Sequence, residues 1–236
     1  MSLFNFYANK RGELETLQSM LAGDIGGVDR AQQYGIPPDI ADRVERGKQS
    51  DELQQYLFEK YRMLEKELTQ SLRFHQKFWD KNSAHYAKRF AKILGHEMPP
   101  YTVRLNVQAD GISNWSGTDV SINAFTYLGP WKEGMMIQAM ILETMLSQTF
   151  IDIRKKWPEE ELDNLHAWGA AELSALAIYQ TDFCESDWAI GYPQLEPHRG
   201  AIKKLYALRK DFQSYLENVV KYFKKSPLLP PVSKPR

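Results

Sequence analysis

Met135-Met136-Ile137-Gln138-Ala139-Met140-Ile141-Leu142-Glu143-Thr144-Met145-Leu146-Ser147-Gln148-Thr149-Phe150-Ile151 carries a single charged residue, Glu143. Apolar side chains fall on nearly every face of a 3.6-residue repeat. The pattern predicts one long helix, from about Trp131 to Lys156, that is central and buried. Its longest apolar run, Met135 to Leu142, is broken by Gln138 and is far shorter than the ~20 residues a membrane span needs.

Outward from this helix the texture alternates. On its C-terminal side, Pro158 suits the first turn of a second helix. Glu159, Glu160 and Glu161 complement that helix's dipole, and it is expected to run to about Tyr179. Phe183 to His198 reads as loop, Gly200 to Phe223 as a last helix, and the proline-rich end, residues 226–236, as a disordered or surface-draped tail. On its N-terminal side, Tyr101 to Val107 alternates with period two and predicts a strand. Asp119 to Phe125 predicts a second, and Asp110-Gly111 a turn between them. Further back, Leu53, Tyr56, Leu57, Tyr61, Leu64, Leu68 and Leu72 recur every three or four residues. They predict an amphipathic helix from Ser50 to about Phe78. A helix over Ser83 to Leu94 follows and stops at Gly95. Asp39 starts a helix after the Gly35-Ile36-Pro37-Pro38 break, and the chain up to about Leu21 reads as a short helix.

The expectation is an α+β fold, mainly helical, with a small sheet packed on the buried helix. Residues 1–98 form an N-terminal helical region, 99–225 a core with the C-terminal helix, and 226–236 the tail, in one compact domain overall. A chain of 236 residues can bury a core of that size.

Composition narrows the function classes. Thirty Lys/Arg balance thirty Asp/Glu, so no net field favours nucleic acid. The charge is segregated, with ten basic and two acidic residues over Arg199–Arg236 against twelve acidic and three basic over Glu133–Glu196. Mutual attraction of the two regions is the expected consequence. One cysteine, Cys184, excludes an intrachain disulfide and a CxxC metal site. No signal-type apolar core opens the sequence, and a cytoplasmic location is expected.

Two acids sit on apolar helix faces. Glu143 has Met136, Ala139, Met140, Leu146 and Phe150 on its side of the helix, with Ser147 as the one polar neighbour. Glu172 lies on the stripe of Leu165, Trp168, Leu176 and Tyr179. A buried carboxylate must be paired, hydrogen-bonded, metal-bound or protonated. Each is therefore a functional group or a member of a structural network.

The segments Ile141-Leu142-Glu143-Thr144-Met145-Leu146-Ser147 and Trp168-Gly169-Ala170-Ala171-Glu172, about thirty residues apart, resemble the active-site helices of the gluzincin metallopeptidases. In that family the first helix carries HExxH, whose histidines bind zinc and whose Glu is the general base. A Glu on the next helix is the third ligand. The resemblance covers about Tyr101 to Tyr179, with Asp119 to Phe125 in the place of the edge strand. Glu143 then matches the base and Glu172 the third ligand. Leu142 and Leu146 stand where the histidines belong, and leucine cannot coordinate zinc. The resemblance implies a catalytically degenerate, zincin-like scaffold with no bound cofactor or metal. In it the former cleft binds a peptide, protein or small molecule.

Around these acids, Asn114, Trp115 and Asp119 in one loop, and Trp168, Tyr192 and His198, are candidate binding residues; the loops also suit plain core closure. The five histidines include no i, i+4 pair and are expected at the surface or at caps. Glu-x-x-His pairs for a diiron bundle, a phosphate-binding Gly-rich loop and a G-x-S-x-G elbow are all missing. Two alternatives remain: a hydrolase using Glu143 and Glu172 with an unconventional metal site or metal-free acid/base chemistry, and a nucleic-acid or membrane-surface adaptor using the basic C-terminal helix.

Overall fold

A computed structural model describes residues 2–22, 35–45, 51–109, 112–113, 117–125, 132–184 and 192–228. The order is β1 (Phe4–Tyr7), α1 (Lys10–Ala22), α2 (Pro38–Glu45), α3 (Asp51–Met63), α4 (Glu65–Leu94), β2 (Tyr101–Asn106), β3 (Ile112–Ser113), β4 (Asp119–Asn123), α5 (Lys132–Lys156), α6 (Asn164–Ile178), α7 (Glu196–Ala207) and α8 (Phe212–Lys225). The chain is mainly helical with one small sheet, the α+β class its pattern implies. No helix among the described residues is long and apolar enough to cross a membrane.

The sheet runs β1-β2-β4-β3, with β1, β2 and β4 parallel and β3 antiparallel at the edge. Its register sorts the side chains by period. Phe4, Phe6, Tyr101, Val103, Leu105, Val120 and Ile122 share one face, which packs on α4 and α5 in the main core. Phe4 meets Trp79 of α4 edge to face, ring centres 4.8 Å apart. Asn5, Tyr7, Thr102, Arg104, Asn106, Asp119, Ser121 and Asn123 share the other face. A parallel sheet is usually apolar on both sides; here the second face is a polar layer under α1.

Two sequence expectations shift here. The start of the chain holds a strand as well as a helix: four residues, Phe-Asn-Phe-Tyr, are too short to declare a period, and pairing with β2 supplies their hydrogen bonds. The strand at Asp119 is interior, and the edge is β3. Because β1 pairs with β2, the sheet draws on both of the regions separated at residue 98.

The helix boundaries also move. The break expected near Phe78–Ser83 does not occur. Asp80 and Lys81 face solvent, Trp79 is fully buried, and α4 runs through. The kink lies at Leu64 (φ −105°, ψ 17°), where Leu64 and Leu68 still donate four residues back. The αL stop at Gly95 is present, with φ +80° and its N–H on the Ala91 carbonyl at 2.9 Å. Pro158 to Leu162 forms a turn rather than a first helical turn. The helix starts later because Asp163 caps it, accepting from the His166 N–H at 3.0 Å. Past Ile178, α6 widens into a π-helical turn, Tyr179–Phe183. The single helix expected over 200–223 is two, since Asp211 caps a new start on the Ser214 N–H at 2.7 Å.

The first residues of the expected tail are docked. Leu228 is buried, and its N–H donates to His166 Nε2 at 3.0 Å. Gly169 makes the room: a Cβ there would collide with Leu228 Cδ1. Residues 229–236 lie outside the described residues.

A second, smaller core of Leu14, Leu17, Leu21, Ile36, Leu53 and Leu57 joins α1, α2 and α3. Between it and the sheet stands Glu13, fully buried. Its carboxylate accepts from Tyr61 Oη (2.7 Å) and from the backbone N–H groups of Val107 (2.9 Å), Gln108 (2.6 Å) and Ala109 (2.8 Å). Arg104 extends the layer, donating to Thr16 Oγ1 (2.7 Å) and Asn106 Oδ1 (2.9 Å). Gly12 lies close under this arginine: a Cβ there would sit 2.7 Å from Arg104 Nη1 and would push the guanidinium aside.

Candidate functional site

α5 and α6 pack along each other, with the β3–β4 end of the sheet on α5. The π-helical turn and α7 continue from α6. The apolar pattern of α5 is realised: Met136, Met140, Ile141, Met145, Phe150 and Ile153 are buried. Glu143 itself is half-buried, less enclosed than its apolar neighbours imply. Thr144, Ser147, Gln148 and Thr149 are buried on the same helix. Their partners explain how polar groups enter this core. Thr144 Oγ1 donates back to the Met140 carbonyl, and Ser147 Oγ donates to the Gly117 carbonyl at 2.9 Å, tying α5 to the approach to β4. Gln148 accepts from Tyr101 Oη at 3.2 Å and donates to Asp152 at 3.0 Å, and His96 Nε2 reaches Asp152 at 2.8 Å. Burial opposes charge on His96, but the Glu97 carbonyl and the Asp152 carboxylate outweigh it and raise its pKa.

Glu172 is half-buried on α6, and the stripe read from the sequence is present. Trp168, one turn earlier, donates its indole N–H to Glu172 Oε1 at 3.1 Å. Tyr192 then stands edge to face on Trp168, centres 4.8 Å apart at 89°. Glu172, Trp168 and Tyr192 are thus brought together from two segments. Leu142 is half-buried and Leu146 is 5% exposed, so the two positions of the zinc histidines carry apolar packing surface. No group of three or more His, Cys, Asp or Glu able to hold a metal occurs among the described residues.

The other candidates lie elsewhere. Asp119 points from the polar sheet face, accepting from Tyr7 Oη (3.1 Å) and Thr102 Oγ1 (3.1 Å), on the side away from α5. His198 Nδ1 is 2.9 Å from Tyr222 Oη on α8, its ring beside Phe223; burial, then the neighbouring His166, lowers its pKa. Asn114 and Trp115 lie outside the described residues, as do residues 110–111 of the expected turn.

One histidine corrects the expectation of a surface or capping position. His75 of α4 is fully buried, its Nδ1 2.9 Å from the Ser71 carbonyl and its ring 5.4 Å from that of Phe6. Burial pulls its pKa down from 6.5 to about 4, against the opposing Ser71 bond, so it is neutral at pH 7. A stripe holding Leu68, Ser71, His75 and Trp79 is the signal that places it inside.

No family model, no curated protein and no solved structure matches the chain.

Proposed function

We propose that the chain is a non-hydrolytic, zincin-like binding protein that takes a peptide, protein or small molecule against the α5–α6 pair. The observation that carries this reading is the Glu172–Trp168–Tyr192 group: a half-buried carboxylate held by an indole N–H beside two aromatic rings at right angles. A ligand amine or amide N–H suits the carboxylate, and the rings offer apolar contact with a polar tip. Leucines at 142 and 146 remove the means of activating a zinc-bound water, and of the two only the half-buried Leu142 adds apolar wall. An antiparallel edge strand, β3, near a buried helix also suits an extended ligand that adds to the sheet edge.

The test is a fluorescence and thermal-shift screen of short peptides and aliphatic amines on the wild-type chain and on Glu172→Gln. Ligands that bind the wild type and lose at least about tenfold in affinity in the folded variant support the reading. Hits unaffected by Glu172→Gln and by Trp168→Phe place binding elsewhere. Separately, about one equivalent of a transition metal in protein purified without a metal-affinity tag would overturn the non-hydrolytic assignment.

A further inference from the structure

α7 and α8 are joined by the four residues Leu208–Asp211 and pack side by side, leaving a groove of about 420 Å³ along their outer surface. Its floor is apolar, formed by Leu205, Leu208 and Tyr222, and its rim is basic, formed by Lys204, Lys221 and Lys225. Leu208 is 72% exposed, one of few large apolar side chains left open among the described residues. None of the three lysines makes an ion pair among the described residues. The acids of α7 and α8 make their close contacts elsewhere, Glu196 with Arg199, Glu217 with Lys156 at 2.6 Å and Asp211 at its cap, although Glu217 also feels the charge of Lys221 one turn on. Positive charge thus collects around an apolar floor that leaves Leu208 exposed among the described residues.

We propose that this groove docks an acidic amphipathic helix of a partner protein. Two adjacent helices present a furrow that a third helix fills, with leucine-type anchors spaced i, i+3, i+4 and i+7 on the floor. Glutamates flanking those anchors would meet the three lysines, giving charge complementarity. A nucleic-acid backbone has the charge but no apolar side chains for the floor. A lipid surface favours a convex apolar face, whereas this floor is concave and offers one prominent leucine. The chain's own tail is an unsuitable occupant: Leu228 is anchored against Gly169, and residues 229–236 carry Lys234 and Arg236 and no acid. The proposal is independent of the α5–α6 reading.

The experiment uses the full chain and a fluorescein-labelled helical peptide with leucines along one stripe and glutamates on both flanks. A scrambled peptide of the same composition and vesicles of phosphatidylglycerol serve as comparison probes. The expected result is saturable binding of the helical peptide, at least about tenfold weaker for the scramble, for Leu208→Glu and for the triple variant K204E/K221E/K225E. The three lysines and Leu208 are exposed, so each variant should melt like the wild type. Equal binding of scramble and helix would reduce the groove to a charged surface and overturn the proposal. Vesicle binding without peptide binding would overturn it in favour of a membrane, and absence of peptide binding would overturn it outright.

Discussion

Glu13 and Glu172 both project from the inner side of a helix, and their surroundings could hardly differ more. At the junction of α1 with the sheet, Glu13 is wholly enclosed by donors: one phenol and three consecutive backbone amides. In the α5–α6 pair, Glu172 is half-exposed beside Trp168 and Tyr192. A carboxylate that accepts from consecutive backbone amides fixes the path of the chain, because each bond sets the direction of one peptide group. A carboxylate at the border of the core, next to aromatic rings, keeps part of its surface in water, as the proposed binding role requires. The burial of a helical acid, complete at Glu13 and partial at Glu172, does not follow from its apolar neighbours in sequence.

That contrast breaks most visibly at Glu13. Glu13→Ala strands three amides at the end of β2 and is expected to lower stability by about 3–5 kcal/mol in urea denaturation. A loss near zero would show that water replaces the carboxylate and that the junction is not closed. A third buried group, His75 of α4, responds to acid. His75 is neutral when folded, with a pKa near 4 against 6.5 when exposed. The unfolded chain therefore binds the extra proton between those values. His75 contributes its full stability above pH 6.5 and loses it as pH falls toward 4, a difference of about 3 kcal/mol. His75→Gln should flatten that part of the stability profile; an unchanged slope between pH 6.5 and 4 would assign it to other groups.

Smaller effects test the α5–α6 side. Gly169→Ala forces Leu228 aside and is expected to cost about 1–2 kcal/mol in thermal unfolding, most of it removed in a Leu228→Ala background. Independent, additive losses would mean that Leu228 does not fill the space over Gly169. Glu172→Gln should change stability least, by about 0.5 kcal/mol or less. A loss as large as that at Glu13 would erase the distinction and make Glu172 structural as well.

Much of the α5–α6 pair was legible in the sequence because its signals are local. The all-round apolar pattern located α5, and the i, i+4 spacing of Trp168 and Glu172 put them in contact. Gly95 and the period-two run from Tyr101 were equally direct. The Glu13 junction was illegible for the opposite reason. Its donors lie 48 residues away at Tyr61 and 94 to 96 residues away at Val107, Gln108 and Ala109, and amides leave no mark in a sequence. The caps at Asp163 and Asp211 were readable in principle, as acids three residues before His166 and Ser214, but Pro158 and the continuous amphipathic pattern over 200–223 masked them. Tyr192 could be named as a candidate, but its meeting with Trp168 depends on a long-range return of the chain that periodicity does not encode.

The pairing of Phe4 with Tyr101 has a consequence during synthesis. On a ribosome adding roughly 5–20 residues per second, the first strand waits on the order of 5–20 seconds before its partner is made, and longer before that partner clears the exit tunnel. For that interval Phe4 and Phe6 have no sheet to join, and α1 holds its Glu13 carboxylate without the amides it will later bind. The nascent chain carries this early-made segment unpaired until β2 emerges, and β4, made later still, sets the earliest moment at which the sheet can close.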